Sequence, residues 1–193
     1  MAEILLITLA AVVVNNYVLA RILGLCPFIG LSTKLSDAVG MGVAVTFVMG
    51  MSAAATWPIQ KYILDNDKLQ IGFMQTVVFI LVIASLVQLV DLFLLKFIPN
   101  LHRAFGIYLP LITTNCCILG VTILNISEKY GFVASVFNAI GGGIGFLLAL
   151  ALMAGIRERV AVSNVPKSLQ GAPIAFILTG LMALAFLGFS GMM

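Results

Sequence analysis

The chain has 193 residues, of which 62% are hydrophobic and only 9% are charged, and its mean hydropathy is +1.20. Soluble domains carry about 25% charged residues, so this composition excludes a soluble globular protein and indicates an integral membrane protein. The formal net charge is only +3 and no basic cluster is present, which argues against a nucleic-acid partner.

Several apolar stretches are long enough to cross a bilayer, which takes about 20 helical residues. Their unbroken apolar runs differ from the alternating pattern of a membrane β-barrel. The sequence therefore predicts an all-α integral membrane protein with six transmembrane helices in a single membrane domain, residues 1–193. The predicted spans are roughly 4–31, 38–59, 72–95, 104–125, 132–155 and 171–191.

The first and fourth spans contain residues that interrupt a helix. Gly24, Pro27 and Gly30 fall within seven residues of each other, and proline removes a helix hydrogen bond. In the fourth span, Pro110 is followed by the polar run 113–115. Broken membrane helices are tolerated only where protein or a cavity satisfies the freed backbone groups. Helices 1 and 4 are therefore predicted to be broken near the midplane.

Short similarities between the two halves predict an internal duplication, with repeat 1 at about 1–95 and repeat 2 at about 96–193. The corresponding stretches are 26–30 with 116–120, 38–43 with 139–144, and 79–81 with 176–178. Each half has three predicted spans, an odd number, so the second copy enters the membrane from the opposite side. The result is an inverted repeat, which brings the two breaks together.

The Lys and Arg residues of the loops predict the orientation in the membrane. One side carries six of them and the other side carries three, so the richer side is predicted to be cytoplasmic and both termini are predicted to lie outside. The six are Lys34, Lys96, Arg103, Arg157, Arg159 and Lys167, and the three are Lys61, Lys68 and Lys129.

Two cysteines occupy equivalent positions of the predicted repeat. Cys26 is eight residues from Lys34, roughly 12 Å along a helix, and Cys116 is 12 residues from Glu128, roughly 18 Å. Both distances end near the middle of a hydrocarbon core about 30 Å thick. The adjacent Cys117 points about 100° away from Cys116 on a helix and is interpreted as packing.

The two cysteines have two interpretations. They are inert packing, because cysteine behaves as a small hydrophobe, or they are metal ligands, because thiolates select zinc, copper(I) or iron–sulfur clusters. Two thiolates do not complete such a site, and His102, the only histidine, lies in a predicted loop. The missing ligands would therefore come from another chain.

Four stretches together resemble the small membrane subunits of the bacterial Rnf and Nqr complexes. They are "NNYVLARILGLCPFIGLSTKL" at 15–35, "GIYLPLITTNCCILG" at 106–120, "GIRERVAVSNVP" at 155–166 and "GLMALAFLGFSG" at 180–191. The resemblance runs from end to end of the chain. It is closer to the RnfA branch of the family than to the NqrE subunit of sodium-translocating NADH:quinone reductase, which remains the alternative.

The resemblance implies a shared cofactor. In this family the subunit pairs with a homologous, oppositely inserted RnfE-like sister subunit, and the pair holds one [2Fe–2S] cluster with two cysteines from each chain. Carried over by position, the metal ligands here are Cys26 and Cys116, with Cys117 as the alternative to Cys116 because a cysteine at 117 departs from the family's pattern.

The resemblance also implies the reaction and the other partners. Electrons pass from reduced ferredoxin to NAD⁺, coupled to the movement of sodium ions or protons, and this chain supplies no catalytic residue of its own. The further partners are the B, C, D and G subunits of the Rnf complex, with flavins only in other subunits, in the lipid of the bacterial cytoplasmic (inner) membrane.

Four polar residues near the cysteines are candidate neighbours of the cluster. Arg21 would favour its reduced form, or it extends to the cytoplasmic interface instead. Thr113, Thr114 and Asn115 would donate hydrogen bonds to cluster sulfurs, or they cap the broken helix. Two other functions also remain open: a secondary-transporter subunit with inert cysteines, because broken inverted repeats also build substrate sites, and a structural membrane scaffold.

Topology reporters test the predicted orientation. A reporter fused after Met193 should be active outside the cytoplasm, and one inserted near Lys167 should be active inside it, because the loops richer in Lys and Arg stay in the cytoplasm. The reverse pattern would contradict the orientation.

Overall fold

The computed structural model describes residues 16–64, 74–97 and 109–188, together with Thr8 and Val12. Within these ranges every regular element is helical, which confirms the predicted all-α class there. The helices are α1 Leu25–Gly30, α2 Leu35–Ile59, α3 Gln75–Phe97, α4 Leu109–Thr113, α5 Cys116–Ser127, α6 Phe132–Ala161 and α7 Ala172–Leu187. A wider π-helical turn, Gln60–Leu64, extends α2, and a short 3₁₀ turn, Lys167–Leu169, precedes α7.

Four stretches of the described chain are long and apolar enough to cross a membrane. They are Leu35–Tyr62, Gln75–Leu92, Pro110–Ser127 and Phe132–Ala161. The shorter apolar helix α7 coincides with the sixth predicted span. Much of the first predicted span, 4–31, lies outside the described residues, so a six-helix crossing stays a prediction.

Helix α6 is longer than the sequence predicted. The predicted span ended at 155, where the charged residues begin, whereas the helix continues to Ala161. Arg and Glu are good helix formers, so the first charged residue marks the edge of the apolar stretch and not the end of the helix.

Helices α2 and α6 pack closely through small residues. At Gly143 of α6, an added Cβ would lie 2.6 Å from Thr46 Cα. At Gly42 of α2, it would lie 2.8 Å from the Leu147 side chain. A side chain at either position would push the two helices apart, and glycine at such contacts is typical of helix packing in membranes.

Different parts of the chain meet at the two ends of the α2–α6 pair. At one end, Trp57 Nε1 donates to Tyr130 O at 3.0 Å, and Lys61 Nζ lies 4.8 Å from the centroid of the Trp57 ring. At the other end, Leu35 N donates to Glu158 Oε1 at 3.1 Å. The C-terminal end of α2 and its π-helical turn thus lie beside the loop before α6, and the loop before α2 lies beside the end of α6. These contacts agree with the predicted grouping of the loops on two sides of the membrane. Which of the two sides faces the cytoplasm stays a prediction.

A substitution at Gly143 tests the close packing of α2 against α6. Gly143→Ala should lower the thermal midpoint, because its Cβ meets the Thr46 backbone and overpacking costs about 1–3 kcal/mol. Gly155→Ala is the matched control in the same helix, since nothing lies within 4 Å of an added Cβ there. The control should be neutral or slightly stabilising, by up to about 1 kcal/mol, because alanine favours helix.

Thermal unfolding of the purified, detergent-solubilised protein measures both variants. A midpoint for Gly143→Ala equal to or above that of Gly155→Ala would contradict the close approach.

Candidate functional site

Residues 16–24, directly before α1, are not helical, and buried side chains hold them against α6. Asn16 Nδ2 donates to Gly145 O at 2.8 Å, and Asn16 Oδ1 accepts the N–H of Val18 at 3.1 Å. Tyr17 Oη accepts a hydrogen bond from Asn138 Nδ2 at 2.9 Å. These bonds satisfy polar groups that would be costly to leave unpaired inside a membrane.

Asn138 of α6 links this segment to α5. Its Nδ2 also donates to Asn125 Oδ1 at 2.6 Å, and Asn125 Nδ2 donates to Ser135 O at 3.0 Å. All three residues are buried. The sequence reasoning missed this network; the available signal was the presence of two amide side chains in otherwise apolar helices.

The first break is sharpest at Gly24. Its φ of 79° lies in the left-handed region, which glycine adopts without strain. An added Cβ would lie 2.8 Å from the Phe146 ring and 3.1 Å from Cys117 Cβ. Both the conformation and the space therefore require glycine here. Helix α1 begins at the next residue and carries Cys26 in its first turn.

The second break lies between α4 and α5, at Thr114 and Asn115. Asn115 Oδ1 accepts the N–H of Cys117 at 3.0 Å, so Asn115 is the N-cap of α5. Thr114 Oγ1 donates back to Pro110 O at 2.9 Å. The capping interpretation is thus confirmed for Asn115. Its Nδ2 atom, in contrast, is buried and has no hydrogen-bond partner among the described residues.

The two breaks meet at one sulfur atom. The backbone N–H of Gly24 donates to Cys116 Sγ at 2.9 Å, across 92 residues of sequence. Leu23 packs beside this bond, where an added Cβ on Gly120 would lie 2.6 Å from Leu23 Cδ1. Cys116 is also the first residue of α5.

The three cysteines differ in exposure. Cys26 and Cys116 are exposed on the surface of this chain, whereas Cys117 is fully buried. The prediction that Cys117 packs inside the chain is therefore confirmed. In the described residues, no group of three or more His, Cys, Asp or Glu side chains could hold a metal ion. Any metal held by the two exposed thiols would need further ligands from elsewhere.

Three of the four candidate neighbours of the cluster lie beside Cys116. Thr113, Thr114 and Asn115 line a cavity of about 350 Å³ together with Cys116, and α3 forms its other wall. Neither Cys26 nor Arg21 is among the described residues that line it. Arg21 lies exposed in the turn that precedes Gly24. The structure thus groups the polar residues of the second break and leaves Arg21 apart from them.

Comparison with known proteins assigns the chain to one family. Residues 4–193 match the family described as "Rnf-Nqr subunit, membrane protein". The chain is 54% identical to the A-subunit of the Na⁺-translocating ferredoxin:NAD⁺ oxidoreductase complex of Acetobacterium woodii, over 98% of this chain and 97% of that protein.

Two further relatives are equally well covered. The chain is 52% identical to the A-subunit of the ion-translocating oxidoreductase complex of Syntrophotalea carbinolica, over 100% of this chain and 98% of that protein. It is also 52% identical to the A-subunit of the proton-translocating ferredoxin:NAD⁺ oxidoreductase complex of Clostridium ljungdahlii, with the same coverage of 100% and 98%. These similarities extend over the whole site described above.

A substitution at Gly24 tests the geometry of the first break. Gly24→Ala should destabilise the protein, because a left-handed backbone costs a residue with a Cβ about 1–2 kcal/mol and the new methyl group would also meet Phe146. Gly30→Ala, at the other end of α1, is the control, since an added Cβ there meets nothing within 4 Å. Thermal unfolding should show a lower midpoint for Gly24→Ala alone; equal midpoints would show that the described turn is wrong.

Proposed function

This chain belongs to the Rnf-Nqr family of membrane protein subunits, and we propose that it is the A-subunit of an ion-translocating ferredoxin:NAD⁺ oxidoreductase complex. The proposal is supported by relatives of 52–54% identity that carry this name over their full length. The chain is then a non-autonomous subunit of a translocase, and the binding of ferredoxin and NAD⁺ falls to other subunits. The relatives named for Na⁺ and for H⁺ are almost equally similar, so the proposal covers the ion-translocating class as a whole.

Within that complex, the chain supplies half of a metal site. Cys26 and Cys116 are the two ligands that it contributes to a [2Fe–2S] cluster, and an RnfE-like sister subunit contributes the other two. The observation that carries this proposal is the selective exposure of these two thiols, while the neighbouring Cys117 is buried. When bound, such a cluster accepts and releases one electron within the membrane.

The residues around Cys116 fit a cluster ligand. Its sulfur already accepts the Gly24 N–H, and hydrogen bonds to ligand sulfur are a means by which proteins set cluster potentials. The buried Nδ2 of Asn115 is a second donor, and no acceptor in the described part of the chain satisfies it. The Thr114 hydroxyl donates to Pro110 O, which makes Asn115 the stronger candidate neighbour. Thr113 remains a candidate neighbour because it lies on the cavity wall, and Arg21 remains one because of its positive charge.

The proposed membrane arrangement has six helices in two inverted repeats, with both termini outside the bacterial inner membrane. The two broken segments would then meet near the midplane, where the cluster divides the electron's route across the bilayer. The contact between Gly24 and Cys116 supports this arrangement, because an inverted repeat brings equivalent breaks together.

Replacement of the cysteines tests the proposal. In the purified complex, Cys26→Ser and Cys116→Ser should each lose one [2Fe–2S] cluster, seen as two fewer iron atoms and two fewer labile sulfides per complex. Cys117→Ala is the matched control: it should keep the full iron and sulfide content, because its thiol faces the interior of the chain.

The alternatives predict different results. If the cysteines are inert, as in a transporter subunit or a scaffold, both serine variants keep the iron and sulfide of the wild type. If Cys117→Ala loses the cluster and Cys116→Ser retains it, the ligand assignment is wrong. An NqrE-like subunit would copurify with a complex that reduces quinone and does not use ferredoxin.

A further inference from the structure

The helix that carries Cys26 is too short to hold its own position. Helix α1 has six residues, Leu25–Gly30, and isolated helices of this length are unstable because nucleation costs more than so few bonds return. The last four carbonyl groups of any helix also lack partners within the helix. The position of the Cys26 thiol therefore depends on what fixes the two ends of α1.

At its C-terminal end, α1 is fixed by Arg157 of α6. Arg157 Nη1 donates to Ile29 O at 2.6 Å and to Ser32 Oγ at 2.9 Å. Ser32 is fully buried and Arg157 is half-buried. Hydrogen bonds from a charged donor are stronger than neutral ones, and a cation at a helix C-terminus also interacts favourably with the helix dipole.

The residue next to Arg157 holds the start of the following helix. Glu158 Oε1 accepts the N–H of Leu35, the first residue of α2. Two consecutive side chains of α6 therefore hold both ends of the connector from Leu31 to Lys34. Because α6 has 30 residues and packs along α2, this connector is anchored to the most extensive part of the fold.

The two candidate ligands are therefore held differently. Cys116 begins a 12-residue helix and its sulfur is fixed by the Gly24 N–H. Cys26 lies on α1, between the bond at Gly24 and the bonds from Arg157. Ile29 is three residues beyond Cys26, so its Cα lies roughly 4.5 Å further along the helix, by the rise of about 1.5 Å per residue. The guanidinium lies beyond the Ile29 carbonyl oxygen, to which it donates.

We propose that Arg157 is a positioning residue for the Cys26 ligand, which it fixes through Ile29 O and Ser32, and that its positive charge favours the reduced state at this site. The inference rests on the function proposed above and adds a residue that the sequence had assigned only to the cytoplasmic charge count. A positive charge near the site stabilises the electron that reduction adds, and water and salt screen it less than a fully exposed charge because Arg157 is half-buried.

The test is a redox titration of the assembled complex by electron paramagnetic resonance. The Cys26→Ser complex supplies the baseline, because the difference between it and wild type isolates the signal of this one cluster from those of other centres. Arg157→Gln should shift that difference signal to a lower reduction potential and change its line shape. Arg157→Lys, which keeps the charge but not the planar fork, should recover the potential more fully than the line shape.

Arg159→Gln is the matched control. It removes an equal charge two residues further along α6, from an exposed side chain, and should leave both the potential and the line shape unchanged. Ser32→Ala removes one of the two acceptors of Arg157 and should change the line shape in the same direction as Arg157→Gln, by a smaller amount.

The outcomes separate this inference from the proposed function. Without a difference signal in the wild-type complex, both are wrong. A wild-type signal with an unchanged potential and line shape in Arg157→Gln would overturn the role of Arg157 alone. If Arg157→Gln does not assemble, Ser32→Ala decides: an unchanged line shape there overturns the inference. A lower yield of complex whose remaining clusters are like wild type would reduce Arg157 to a purely structural role and also overturn it.

Discussion

The arrangement of this site depends on one hydrogen bond, from the backbone N–H of Gly24 to Cys116 Sγ. It joins two interruptions of apolar helices that lie 92 residues apart. Freed backbone groups inside a membrane must find partners within the protein, and here a cysteine sulfur is one of those partners. A sulfur placed in this way is fixed in position and already accepts a hydrogen bond, as the ligand of a cluster would.

Several buried polar side chains meet the same requirement for hydrogen-bond partners within the protein. Asn16 holds the first break against α6, Asn115 caps the helix after the second break, and Asn138 bonds to Tyr17 and to Asn125. In this arrangement the thiols of Cys26 and Cys116 lie at the surface of the chain and Cys117 lies inside it. Two exposed thiols would supply half of the ligands of a [2Fe–2S] cluster, which is why a second, homologous chain is part of the proposed function.

Local sequence patterns predicted much of this fold and less of its site. Apolar run length predicted helices within the described residues, and Pro110 with the polar run after it predicted the break between α4 and α5. A break of the first predicted helix stays a prediction, because most of the chain before residue 16 lies outside the described residues. The roles of Cys26 and Cys116 came from their equivalent spacing and from the family resemblance. The contacts of Gly24 with Cys116, and of Arg157 with Ile29, could not be predicted, because they join residues 92 and 128 positions apart through tertiary packing. The extension of α6 was missed for a different reason, since charge marks the membrane edge and the helix continues beyond it.

The most direct measurement is an experimental density map of the assembled complex that contains this chain, with iron located relative to the three cysteines. The account predicts iron bonded to Cys26 Sγ and Cys116 Sγ, with the remaining bonds made by two thiolates of a second chain. It also predicts that Cys117 Sγ stays unligated. Iron bonded to Cys117, or two free thiols at Cys26 and Cys116 in an active complex, would contradict it.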